Sequence, residues 1–263
     1  MKHVRFWMGI FAVAVLAGCE QIIDLDTPDH AALPAISLRL DAATGAVVGS
    51  VTRSVDFYAP ALPDAVTDVV VRLTGPDGTV YTVAADPAGF IAGSAAAFAP
   101  GDRVVAEVEV EGEVYRTEEV VQPVLPLDSL EIRPFEGFGF GFEEDSVVQI
   151  FCHFPDSPPR NLLVEAIVNG EYATETVQCF KTSGEGPTVV PVLWGRTFSP
   201  GDEVLVFAWS LPEASYDYWV TLGNVADGGG PGSVPGNPLN HWNRAALGHF
   251  TLAPASTLTI TVP

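Results

Sequence analysis

Basic residues are scarce in this sequence. Its 263 residues hold 12 lysines and arginines against 33 aspartates and glutamates, for a formal net charge of −21 at pH 7. After Lys2 the one remaining lysine is Lys181. Nucleic-acid binding depends on such groups displacing counterions from phosphates, so nucleic acid is excluded as a partner. A polybasic grip on anionic lipid is excluded for the same reason. Catalytic signatures are missing as well. There is no His-Glu-x-x-His and no Gly-x-Ser-x-Gly, and Gly228-Gly229-Gly230 lacks the Lys-Ser/Thr of a phosphate loop. His241 and His249 stand in a loop-rich stretch at a weak spacing for a metal, and Asp24, Asp26 and Asp29 do not follow the calcium-loop pattern. With 33 acids, some pair always falls at a glycosidase-like separation, so carboxylates alone argue for nothing. No metal, no cofactor and no enzymatic activity are expected.

What is present begins at the start of the chain. Lys2 and Arg5 precede an apolar run over residues 6–16, which ends in Leu16-Ala17-Gly18-Cys19. The run is shorter than the roughly 20 residues a membrane span needs. A basic start, a short apolar stretch and small residues make an export signal, and the cysteine directly after Leu-Ala-Gly makes it the lipoprotein kind. Residues 1–18 are thus expected to be removed and Cys19 to carry lipid, holding the chain to a membrane outside the cytoplasm. The acid excess then fits two readings: solubility in a saline habitat, or a surface that gathers cations.

Cysteine is rare too. With Cys19 spent on lipid, Cys152 and Cys179 remain, each in a strand-like alternating stretch. Export permits a disulfide between them, and that bridge is favoured over two buried thiols. A catalytic thiol is not expected, because His153 falls on the opposite strand face from Cys152.

Long helical periods are also missing, while 25 glycines and 22 prolines punctuate short alternating runs. That pattern predicts an all-β chain: two tandem immunoglobulin-like β-sandwich domains, the second with one short helix. Residues 19–34 read as a lipidated tether, 35–125 as the first sandwich and 126–263 as the second. Pro123 to Asp128 forms the stiff joint. Gly75-Pro76-Asp77-Gly78 and Glu111-Gly112 mark hairpin turns. Phe198-Ser199-Pro200-Gly201-Asp202 echoes Phe98-Ala99-Pro100-Gly101-Asp102, read either as a sign that the halves are related or as a common turn arising twice. Ser210-Leu211-Pro212-Glu213 fits a capping box for a helix over 211–222, with Ala214, Tyr218 and Leu222 on one face and Gly223 or Asn224 ending it.

Two stretches are candidate contact surfaces. In the Phe-Gly run, Phe138, Phe140 and Phe142 line one strand face, either as core or as an aromatic edge for a partner. The second is the loop around Asn237, Asn240 and Trp242, read either as a shaped surface or as a cover over the sandwich end.

That loop also carries a resemblance. Pro235-Gly236-Asn237-Pro238-Leu239-Asn240 and then Ala246-Leu247-Gly248-His249-Phe250 are similar to the closing motif of the domain of unknown function 4249 family of outer-membrane lipoproteins. Further matches are Ile23-Asp24-Leu25-Asp26 after Cys19, Val51-Thr52-Arg53-Ser54, Asp64-Ala65-Val66, Pro126-Leu127-Asp128-Ser129-Leu130 and Tyr216-Asp217-Tyr218-Trp219. His249 departs from the usual tyrosine, and the Phe-Gly run is unusual. The resemblance implies an outer-membrane lipoprotein held through lipid at Cys19, and the acidic residues just after Cys19 suit a signal for display on the cell surface. Its implied partner is a TonB-dependent transporter barrel, which it helps to capture or gate substrate. A surface adhesion or structural module without a barrel is the alternative. No catalytic residues are implied.

Overall fold

The computed structural model describes residues 32–55, 63–134, 148–173, 177–193, 197–226 and 237–263, within one compact unit spanning residues 32–263. Cys19 and the predicted contacts Phe138, Phe140 and Phe142 lie outside the described residues.

The chain is all-β with one helix among the described residues. The first seven strands are β1 (Pro34–Asp41), β2 (Ala46–Arg53), β3 (Val69–Thr74), β4 (Val80–Ala84), β5 (Phe90–Ser94), β6 (Arg103–Val110) and β7 (Glu113–Val120). Next come β8 (Ser129–Pro134), β9 (Val148–Phe154), β10 (Asn161–Val168), β11 (Glu171–Tyr172), β12 (Cys179–Lys181), β13 (Thr188–Pro191) and β14 (Glu203–Leu211). Helix α1 (Glu213–Ala226) and strands β15 (Phe250–Ala253) and β16 (Ala255–Thr261) follow.

Alternation explains the layers. In β6, Val104, Ala106, Val108 and Val110 are buried while Arg103 is exposed, so one face turns inward. That face packs on Ile36, Leu38 and Leu40 of β1, which joins the β1-β2-β5 sheet to the β4-β3-β6-β7 sheet through one core. A second core lies between β13-β9-β8 and the sheet of β10, β14 and β16, with Ile150 and Phe154 facing Val164, Val204 and Val206. Each core is the filling of a sandwich.

The second pair of sheets repeats the pairing of the first. Strands β8, β9 and β13 are ordered like β1, β2 and β5, and β12, β10, β14 and β16 like β4, β3, β6 and β7. The echoed corner is built identically. The Asp102 carboxylate accepts from the Ala99 amide at 2.8 Å, and Asp202 accepts from Ser199 at 2.9 Å. Gly101 and Gly201 hold φ of 94° and 93°, open to glycine alone at no cost, and donate to Val121 and Val262.

One connection breaks the repeat. In the first sandwich β6 turns into β7 through Glu111-Gly112, both at positive φ as a two-residue hairpin requires. In the second, the chain leaves β14, forms α1, travels to the first sandwich as β15 and returns as β16. There β15 lies parallel to β1, with Leu38 beside Phe250 and Asp41 beside Ala253. Trp242, Ala246, Phe250 and Leu252 therefore belong to the first core, which draws on residues far beyond 125.

The helix start differs from the capping-box reading. Ser210 and Leu211 still belong to β14, and α1 begins at Glu213. The Ser210 hydroxyl instead accepts from the Leu125 amide at 2.8 Å, and Ser256 accepts from Leu127 at 2.8 Å. Both serines are spent on the proline-rich joint, whose Asp128 amide goes to the His153 carbonyl of β9. Nor does Gly223 stop the helix. It lies within α1, where an added Cβ would come 3.2 Å from Cβ of Val177, so its smallness serves close packing.

Candidate functional site

The inserted segment brings chemistry-bearing side chains together where the first sandwich meets α1. Glu119 stands opposite Val104 on the inward face of edge strand β7 and is 7% exposed. Ser215, in the first turn of α1, is fully buried, and His249, just ahead of β15, is 3% exposed. Ser215 Oγ lies 2.8 Å from His249 Nε2 and 3.5 Å from Glu119 Oε1. The His249 ring stacks on Tyr218 at 4.9 Å and meets His241 edge-on at 5.4 Å.

These are the residue types of a hydrolytic triad, in the wrong order. A relay needs serine on one ring nitrogen and the carboxylate on the other. Here Glu119 Oε1 sits 3.6 Å from the same Nε2 that contacts Ser215, while Nδ1 is buried without a partner. The hydroxyl is sealed from any substrate. This trio ties α1 to β7.

Above it lies a cleft of about 400 Å³, lined by Arg116, Thr117, Glu118, Glu119, Ala214, His241 and Asn243. Asn243 forms its wall by running along the free edge of β7. Its Oδ1 accepts from the Arg116 amide at 2.8 Å, and its own amide donates to the Arg116 carbonyl at 2.9 Å. Burial pushes the Glu119 carboxyl up to about 7. Burial, then the neighbouring His241, pushes His249 down to about 3. The imidazole is therefore neutral at pH 7 while the carboxyl is near its midpoint.

A second buried cluster fastens the two sandwiches. Arg39 of β1 grips Glu165 of β10 with both guanidinium nitrogens, at 2.5 and 3.0 Å. Trp209 Nε1 donates to Glu165 at 2.8 Å and the Tyr172 hydroxyl donates to the same carboxylate. The guanidinium lies 4.8 Å from the Trp209 ring and 5.4 Å from Trp219. Bidentate geometry with every lone pair engaged is the condition under which a buried ion pair holds.

The predicted loop contacts are split. Asn237 and Asn240 are exposed, whereas Trp242 is 6% exposed and packs in the first core. Its indole is part of the cover over the sandwich end and is not presented to a partner.

The expected disulfide is a correction. Cys152 and Cys179 are free thiols. Cys152 points into the second core, while Cys179 packs with Leu163 and Trp209 on the other face of the β10–β14 sheet. A sheet separates them. Burial pushes both thiols up to about 12, which removes the thiolate needed for nucleophilic work. His153 does face away from Cys152, bonding Glu131 at 2.6 Å.

The Ala246-Leu247-Gly248-His249-Phe250 motif acquires a physical role. Leu247 and His249 carbonyls accept from the Ile36 and Leu38 amides at 2.8 and 3.0 Å. Gly248 has φ +81°, and a Cβ there would lie 2.2 Å from the Ile36 carbonyl oxygen. The motif is the seat of the cis-added strand. Glu119, Ser215, Asn243, Arg39 and Glu165 were not singled out from sequence. A signal existed for two of them: Glu165 interrupts the apolar run Leu162-Leu163-Val164-Glu165-Ala166-Ile167-Val168, and Glu119 shares a strand face with Tyr115 and Val121.

Among the described residues no group of three or more His, Cys, Asp or Glu is placed to hold a metal ion, and no helix is long and apolar enough to cross a membrane. No protein-family model and no curated protein matches the chain. The resemblance therefore rests on the motifs alone.

Proposed function

We propose that this chain is a lipid-anchored, non-catalytic capture subunit that works beside an outer-membrane transporter barrel. The observation that carries the reading is the sealed seam beneath the Glu119 cleft. Its serine and histidine are locked in contact with each other, so the cleft above is arranged to hold a ligand and not to attack one. The Leu16-Ala17-Gly18-Cys19 box supports the lipid anchor, and the family resemblance supports the outer membrane and the TonB-dependent barrel. Anchoring reduces the search for a barrel to two dimensions and raises the effective concentration at its mouth. The double sandwich, clamped by Arg39–Glu165 and by β15, would hold Asn237, Asn240 and the cleft on one folded unit.

The test is affinity purification of the tagged full-length lipoprotein from mildly solubilised outer membranes, with mass spectrometry of what accompanies it. A TonB-dependent barrel in near-equal amount supports the proposal. A lipoprotein recovered alone with its lipid intact rejects the barrel partnership and leaves the adhesion or structural role.

A further inference from the structure

We propose that the cleft beside Glu119 binds a small organic ammonium ion, with the Glu119 carboxylate as its counter-ion. The assignment deepens the capture reading, on which its biological meaning rests, by naming the chemical class of the ligand.

Three observations carry it. First, Glu119 is a buried carboxylate bordering a cleft whose one guanidinium, Arg116, is directed to Glu107 instead. Among the described residues the basic group within ion-pair range is His249, which is neutral at pH 7. A carboxylate taken out of water this far costs several kcal/mol unless a charge compensates it. Second, the other charges at the cleft already have partners. Glu118 pairs with Arg103 across the strands, and Arg116 reaches Glu107 at 3.9 Å. Third, the rest of the lining is compatible with an ammonium, which has N–H donors and no lone pair: Thr117 adds a hydroxyl-bearing side chain and Ala214 an apolar one.

Competing ligand classes fit worse. An anion would meet Glu119 and a chain of net charge −21. A neutral ligand would bury the carboxylate further without compensation. A metal ion lacks the ligand set, since the described residues hold no cluster of three suitable side chains. The open cleft of about 400 Å³ has room for a compact molecule.

Because an ammonium requires the ionised carboxylate, binding is linked to protonation. Ser215 from α1 and His249 ahead of β15 contact Glu119, and His241 from the loop and Arg116 and Glu118 of the opposite face of β7 share the cleft lining; Tyr218 backs His249. Burial holds the Glu119 midpoint near 7. An amine that stays charged throughout should bind about 30-fold more weakly at pH 5.5 than at pH 8.

The experiment uses the full-length chain in a neutral detergent, with ethanolamine, putrescine and phenethylamine as probes. Binding is read by saturation-transfer NMR and titration calorimetry. Millimolar or tighter binding of at least one amine is expected, with the stated loss at pH 5.5 and none for 2-phenylethanol, the neutral counterpart. E119Q should abolish binding, while E185Q, an exposed carboxylate outside the cleft lining, should shift affinity less than about threefold. If E119Q fails to fold, the pH dependence of the wild-type chain decides alone. No binding of any of the three amines, binding unchanged by E119Q, or equal affinity at both pH values overturns the assignment. No barrel takes part, so failure here is distinct from failure of the barrel partnership.

Discussion

Replacing Glu119 with glutamine should stabilise the protein at high pH, against the usual expectation for removing a buried polar contact. The carboxyl ionises at about 7 in the folded chain against an ordinary 4.5, raised chiefly by burial. The folded state thus binds more protons than the unfolded state between those values, and stability falls as pH rises through that window. Above pH 7 the full difference applies, as much as about 3 kcal/mol. His249 works in the opposite sense. Its folded value is depressed from 6.5 to about 3, so the unfolded state takes up the extra proton and stability rises with pH through that range. Between pH 4.5 and 6.5 the two slopes cancel, and above 6.5 Glu119 acts alone. E119Q keeps the shape of the side chain and its contact with Ser215 while removing the charge. Urea denaturation followed by tryptophan fluorescence should then give a gain at pH 8 that exceeds the gain at pH 5 by about 2–3 kcal/mol. A loss of stability at pH 8, or a difference independent of pH, would refute the reasoning, because it would mean the carboxylate is compensated in the folded chain.

Three further outcomes are expected. G248A should cost at least about 2 kcal/mol, because the added Cβ meets the Ile36 backbone at 2.2 Å with no flexible side chain to yield. G78A, at the same φ of +81° but with nothing within 4 Å, should cost about half as much, so equal urea midpoints for the two would count against the close-approach argument. Arg39→Ala should destabilise by about 3–5 kcal/mol by stranding Glu165, and Arg39→Met with Glu165→Leu should recover part of that in the same denaturation assay, the shortfall being the buried Trp209 N–H that loses its acceptor. Finally, thiol titration in denaturant without reductant should label both Cys152 and Cys179, and a chain that resists labelling until reduced would restore the disulfide.

What was legible in the sequence was local. The turn at Gly75-Pro76-Asp77-Gly78 is written in its residues, since Asp77 accepts from both the Thr79 amide and hydroxyl at 2.9 and 2.8 Å. The alternation of Val104 to Val110 shows its buried face because a strand repeats every two residues. The paired Phe-x-Pro-Gly-Asp corners were visible for the same reason. Long-range partners were not. Alternation shows which face Cys152 and Cys179 occupy within their own strands and says nothing of the sheet between them. Ser210 fits a capping box by spacing, but the unpaired Leu125 amide, 85 residues away, takes its hydroxyl. Trp242 sits in a loop without periodicity, so its burial follows only from where β15 docks. The site shares that blindness, because Glu119, Ser215 and His249 come from three separate stretches joined by the inserted segment.

That insertion also governs when the first sandwich can form. Strand β1 at Pro34–Asp41 takes its partner from Phe250–Ala253, so the loop to be closed holds more than two hundred residues. Closing it costs entropy before any contact rewards it, and contacts of such separation make folding slow. The amino-terminal half must wait, partly open along the β1 edge, until nearly all of the chain through β15 is available. A chain cut before Trp242 would lose the fourth strand of that sheet and the lid of its core, and would unfold a region some two hundred residues from the cut.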